Sequence, residues 1–203
     1  MPLQNRVLPT GEIVADPAHG TLMGNRGILH DDTRALRRAR WRHSHWVTCR
    51  LVFKGRQRAI MRPGAYTELF FLDEAVALAA GHRPCAECRR QDYRRFRAAF
   101  EVATGPVESA AGMDRRLHAA RVTRTRRQIT HEAECGALPD GAFVALERDS
   151  WLVLGDRLHR FTPAGYTETR LRPAGIVTLL TPAPTIAALA AGYRPTIHES
   201  ART

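Results

Sequence analysis

The chain has 203 residues, enough for one or two domains, and 44% of them are hydrophobic, so a sizeable core is possible. Four cysteines do not make a disulfide scaffold in a chain of this size. No apolar run approaches the about 18 residues of a membrane span, and no basic segment followed by an apolar stretch marks a secretory signal, so the cytoplasm is the expected compartment. The formal net charge is +11, and of the 31 basic residues only Lys54 is not arginine. Guanidinium groups pair bidentately with phosphates, so this excess points to a polyanionic partner.

Residues 1–33 read as a Gly/Pro-rich arm, with short strands near Gly11–Val14 and Thr21–Met23 between turns. The stretch Gly20–Asp32 holds three glycines around Asn25 and Arg26 and can present backbone N–H groups to an anion, but no Walker or Gly-x-Gly-x-x-Gly pattern follows a strand. Arg34–Arg42 carries five arginines as a helix or an extended arm. Beside Trp41 and Trp46, this cluster suits a phosphate-binding surface or, equally, a solvated face over core tryptophans. Trp46–Lys54 alternates as a strand, a return strand is expected over Gln57–Met61, and Leu69–Leu72 is a third.

Asp73 then caps an Ala-rich helix over residues 75–80, Gly81 ends it and Pro84 follows. Asp92–Phe100 reads as a second helix with Tyr93, Phe96 and Phe100 on one side. Residues 101–113 contain a Gly-Pro break and suit a linker, so a first domain is placed at 34–104 and a second at 105–203. Asp114–Arg127 is a basic helix. Beyond it the chain is mainly β, with a hairpin over Ala142–Leu154 and a further strand over Arg157–Thr162, as a small barrel or rolled sheet. Near the C-terminus, Val177–Pro195 echoes Thr67–Pro84: strand, Ala-rich helix, then Ala-Ala-Gly, a ring residue and Arg-Pro. The fold class expected is α+β: a small antiparallel sheet with Ala-rich helices and a cysteine turn, then a mainly β part.

Cys85-x-x-Cys88 lies on the turn between the two helices. Two thiolates at that spacing form half of a tetrahedral zinc site, the alternative being two ordinary thiols. A thioredoxin-type motif opens a helix after a strand, whereas this pair follows a helix. The segment Phe70–Tyr93 resembles the second half of the metal-binding domain of the Ada-type DNA-repair proteins, over about residues 58–96, with Ala80-Gly81-His82-Arg83-Pro84-Cys85-x-x-Cys88 as its specific part. The resemblance implies that Cys85 and Cys88 bind zinc, and it points towards DNA before RNA. The family's first ligand pair is not retained, since Arg58–Tyr66 has no Cys or His, so methyl-phosphotriester repair is not implied.

The remaining ligands expected are Cys49 with His45, or His43 in its place. The strand would have to bend before Trp46, because residues four apart on a straight strand lie roughly 13 Å apart. His131 with Cys135, four apart on a helix, are the alternative pair. Arg37, Arg38, Arg40, Arg83, Arg89, Arg90 and Arg94 are the expected phosphate contacts. The leading reading is a nucleic-acid-binding protein with one structural zinc. The others are a metal-dependent enzyme acting on nucleic acid, with Glu68, His82 or Glu87 as catalytic candidates, and a metal-free interaction module. Pro84-Cys85-x-x-Cys88 matches half of a deaminase signature, but its His-x-Glu half is missing.

Overall fold

The computed structural model describes residues 1–55 and 59–202. Among these residues there are two six-stranded sheets and four α-helices, an α+β arrangement as expected. The first half of the chain supplies β1 (Gln4–Val7), β2 (Ile13–Ala15), β3 (Leu22–Asn25), β4 (Val47–Arg50), β5 (Leu69–Phe71), α1 (Glu74–Ala79), β6 (Arg83–Pro84) and α2 (Arg90–Thr104). The second supplies α3 (Ala110–Arg121), β7 (His131–Glu134), β8 (Phe143–Leu146), β9 (Asp149–Leu154), β10 (Arg157–Thr162), β11 (Gly165–Leu171), β12 (Ile176–Leu179) and α4 (Ala183–Ala190).

The first sheet has the order β2-β1-β5-β3-β4-β6. It is mixed rather than antiparallel, because β1 pairs parallel with β5 and β4 pairs parallel with β6. Residues expected to form an arm are therefore integral: β3 lies between β5 and β4. Of the return strand expected over 57–61, residues 57 and 58 lie outside the described residues, and Ile60 and Met61 form a turn. Leu22, Met23 and Gly24 of β3 take the antiparallel place beside β5.

The second sheet, β11-β10-β9-β8-β12-β7, is antiparallel throughout and gives the mainly β C-terminal part. The β8–β9 turn is Glu147-Arg148, one residue earlier than the sequence suggested, with Glu147 in the left-handed region at φ 58°. Between α2 and α3 the expected linker is short and anchored by buried Val107. Ser109 caps α3 by accepting from the Gly112 N–H, so that helix starts four residues before Asp114.

Helix α1 is the centre of the molecule. All six of its residues are buried. One apolar cluster joins it to both sheets through Val7, Ile13, Phe71, Phe143, Leu152 and Tyr166. A second cluster packs α2, α3 and α4 together through Phe96, Phe100, Met113, Leu117 and Leu189. The two echoing segments end their helices alike. Gly81 (φ 82°) and Gly192 (φ 101°) adopt left-handed backbone, and the next N–H groups, of His82 and Tyr193, reach back to the carbonyls of Ala77 and Ala188.

The N-terminus of α1 holds two buried carboxylates. Asp73 accepts from the Val76 N–H as the cap (2.9 Å), from the Tyr166 hydroxyl (2.8 Å) and from the His198 N–H (2.9 Å). Glu74 accepts from the Tyr193 hydroxyl (2.5 Å) and the Thr196 N–H (2.9 Å), and it pairs with Arg89 at 2.8 Å. Apart from the local cap, each partner comes from another segment, so the helix dipole and its acids tie the C-terminal tail to the first sheet. Removing one member of a buried ion pair strands the other in low dielectric, at about 3–5 kcal/mol. Glu74→Ala is accordingly expected to lower the unfolding free energy by about that amount in urea titration. A loss below about 1 kcal/mol, typical of an exposed pair, would show that this junction does not carry the fold.

Candidate metal centre

The parallel pairing of β6 with β4 builds the centre. Val47 sits opposite Arg83 and Thr48 opposite Pro84, and the Cys85 N–H donates to the Thr48 carbonyl at 2.9 Å. That register carries Cys85 alongside Cys49, the next residue of β4. The turn after β6 then returns Cys88 to the same place, helped by the Glu87 N–H, which donates to Cys85 Sγ at 3.4 Å. The sulfurs of Cys49, Cys85 and Cys88 lie within 4.8 Å of one another. Sulfurs around a tetrahedral zinc stand about 3.8 Å apart, as follows from a Zn–S bond of about 2.3 Å. A slight contraction would therefore close the three on one ion.

The protonation pattern of the three thiols fits a cation site. Cys85 is driven far below the ordinary thiol range, first by its hydrogen bond with Cys49, then by that with Cys88 and by backbone N–H donors. Cys49 is pushed far up, first by the same hydrogen bond to Cys85, then by that to Cys88 and by burial. The three sulfurs thus share protons through mutual hydrogen bonds. A divalent ion would replace their protons, because metal ligation requires deprotonated sulfur.

Among the described residues these three cysteines form the only group of three or more metal-ligating side chains gathered this closely. His45 does not join them: its Nδ1 is 2.8 Å from Asp114 of α3, and the ring is 55% exposed. His43 bonds the Asn25 side chain at 3.2 Å. His131 lies on β7, a strand rather than the expected helix, and Cys135 is buried in the core of the second sheet. The four-residue spacing therefore does not chelate.

The thiols line a cleft of about 600 Å³ with apolar walls that include Met23, Leu51, Ile60 and Phe70. Glu68 and Glu87 line it too. Glu68 is 3% exposed; its Oε2 accepts from the Met61 N–H at 2.7 Å, and its Oε1 has no hydrogen-bond partner among the described residues. Glu87 is exposed and lies 3.8 Å from Lys54. His82 is buried elsewhere, against the rings of Trp46 and Phe71, and burial holds it well below the usual imidazole range.

The expected phosphate-binding arginines divide into two groups. Arg37, Arg38, Arg40, Arg90 and Arg94 are exposed. Arg83 and Arg89 are buried in ion pairs: Arg83 clasps Asp114 through two bonds of 2.7 and 2.8 Å, and Arg89 bridges Glu74 and Asp92. These two are structural groups, since their donors are already engaged inside the protein. Of the three catalytic candidates named from the sequence, Glu68 and Glu87 line this cleft with the thiols and His82 does not; the Met61 N–H that holds Glu68 comes from a turn seven residues earlier.

No protein-family model matches the chain, and no curated protein or solved structure matches it.

Protein purified without added metal is expected to carry about one zinc per chain by elemental analysis. Cys85→Ser/Cys88→Ser should lose it, and Cys49→Ser should bind it far more weakly, whereas His45→Ala and Cys135→Ser should retain it. Zinc loss in His45→Ala with retention in Cys49→Ser would overturn the three-thiol assignment.

Proposed function

We propose that the chain is a zinc-dependent enzyme acting on nucleic acid or its nucleotide components, with Cys49, Cys85 and Cys88 as metal ligands and Glu68 as general base. The observation that carries this reading is the cleft. Three thiols stand in its wall, no fourth ligand closes the set among the described residues, and a buried carboxylate with an unpartnered oxygen shares the space. Structural zinc sites use four protein ligands, whereas catalytic ones use three and keep a position open. Zinc held by these thiolates would supply Lewis-acid polarisation and a nucleophile derived from water.

The Met61 N–H fixes one oxygen of Glu68 and leaves the other to accept a proton from a water molecule attacking the substrate. Apolar walls limit bulk water and suit a planar ring. Three cysteines with a separate glutamate is also a donor set with which zinc nucleobase deaminases activate water. The similarity is one of donor chemistry, because Cys49 is on a strand and not on a His-x-Glu helix. The +11 charge and the exposed arginines 37, 38, 40, 90 and 94 support a phosphate-bearing substrate.

A second reading, a nucleic-acid-binding protein with structural zinc, is favoured by the way the thiols tie β4 to the turn after β6. Cobalt(II) substitution separates the two. In the enzyme, azide or imidazole should shift the visible bands of the thiolate-bound cobalt; an unchanged spectrum supports the structural reading. Glu68→Gln should keep its zinc yet slow hydrolytic conversion of nucleosides or single-stranded oligonucleotides, followed by mass spectrometry, by about 10²-fold or more. If the native zinc protein converts none of these substrates, the catalytic reading falls and the binding reading remains.

A further inference from the structure

Three residues along the same strand pair, a second cleft opens, of about 410 Å³. Met23 faces Cys49 across β3 and β4, and Arg26 and Trp46 lie just beyond the last pair of that ladder, Asn25 with Val47. Arg26 and Arg121 both line this cleft, each only 2% exposed. Their guanidinium carbons stand 4.1 and 3.8 Å from the Trp46 ring. The ring's electrons offset part of the charge, but two cations on one indole repel each other.

Neither arginine has a carboxylate partner among the described residues. Arg26 donates to the carbonyls of Gly11 (2.9 Å) and Ala80 (3.5 Å) and to His82 (3.4 Å). Arg121 donates to the carbonyls of Gly81 and Ser44, both at 2.6 Å, with His118 Nδ1 at 2.9 Å, and its Nε has no partner. The nearby acid, Asp114, is occupied by Arg83 and His45. Glu12 in the cleft wall is exposed and accepts from Thr10. Burial accordingly pushes Arg26 down to about 9 and Arg121 well below the usual guanidinium range. A buried charge is tolerated when it is paired, and here no acid of the described residues supplies the pairing anion.

The rim adds Arg40, Arg126 and Arg127, all exposed, and the half-buried face of Trp41, with Arg126 at 6.0 Å from that ring. Two buried guanidiniums below, three exposed ones at the mouth and an indole beside them match a phosphate attached to a flat ring. We propose that this cleft is a nucleotide-binding site, in which Arg26 and Arg121 hold a phosphate, Arg40, Arg126 and Arg127 close over it, and Trp41 stacks on the base. The nucleotide can be free or a unit of a strand. The site does not depend on the thiol centre or on its proposed reaction.

The test uses the full chain and three probes: inorganic phosphate, adenosine monophosphate and a short oligothymidylate. Tryptophan fluorescence and melting temperature are followed against sodium chloride of equal ionic strength. Phosphate and the mononucleotide should quench Trp41 and Trp46 saturably and raise the melting temperature, by linkage to the folded state. Arg126→Ala/Arg127→Ala changes only exposed side chains and should melt normally, yet bind about tenfold or more weakly. Arg121→Met should lose binding without loss of zinc. Binding of the oligonucleotide alone, lost in the same variants, assigns the site to a strand; binding of the mononucleotide assigns it to the free ligand as well. No saturable response to any probe, or native affinity in both variants, overturns the proposal, whatever the thiol centre proves to do.

Discussion

The contact on which the structure turns is the buried pair of Glu74 and Arg89. Glu74 opens a helix with no exposed residue, so its carboxylate is far from water and needs donors. It receives them from Arg89, Tyr193 and Thr196. Arg89 in turn donates to Thr48 Oγ1 at 2.9 Å and to Asp92 at 3.0 Å. One guanidinium thus fixes α1, the start of α2 and strand β4 relative to one another. Thr48 is next to Cys49 and Arg89 is next to Cys88. The convergence of the three thiols is therefore a consequence of how a buried carboxylate is neutralised, and the metal centre inherits its geometry from the core.

What the sequence revealed, and what it hid, follows from range. The turn with Cys85 and Cys88, the cap at Asp73 and the stop at Gly81 are local devices, each set by residues within a few positions, and each stands where the pattern put it. The place of β1 to β3 depends on pairing across the chain: β1 meets β5 through Arg6 and Phe70. Nothing in a four-residue strand announces such a partner. The two-residue strand β6 is shorter still, yet it sets the register of the site. Cys49 could be chosen from its strand position. His45 could not be excluded, because the acid that takes it, Asp114, lies on a helix 69 residues later.

The same limit governs the arginines. In sequence, Arg83 and Arg89 look like members of one basic cluster with Arg90 and Arg94. In the fold they are the compensated ones, each against an acid that composition cannot assign to it. Arg26 and Arg121 carry no such mark in the sequence, and both are buried with no acid beside them among the described residues. Gly81 shows how closely the second is packed: a Cβ there would meet Arg121 Cδ at 2.4 Å. A side chain so confined cannot turn outward to water, so its charge must be met where it lies.

This distinction separates two uses of buried charge. A paired guanidinium such as Arg89 organises its neighbours, and its field ends at its acids. One without an acid, such as Arg121, donates to carbonyls but leaves its charge uncompensated, which raises the free energy of the empty protein. Such a group is tolerable if an incoming anion removes the penalty, because the lost stability returns as binding. Trp46 supports both members of the unpaired set and precedes by three residues the cysteine of the neighbouring cleft. The strand pair β3–β4 therefore leads from a soft, thiol-rich cluster at Cys49 to a hard, cationic one at the adjoining residues Arg26 and Trp46. The first cluster gathers three sulfurs close enough to hold one metal ion, and the second gathers two guanidiniums with no acid beside them among the described residues, so each would take an ion of opposite sign to the other.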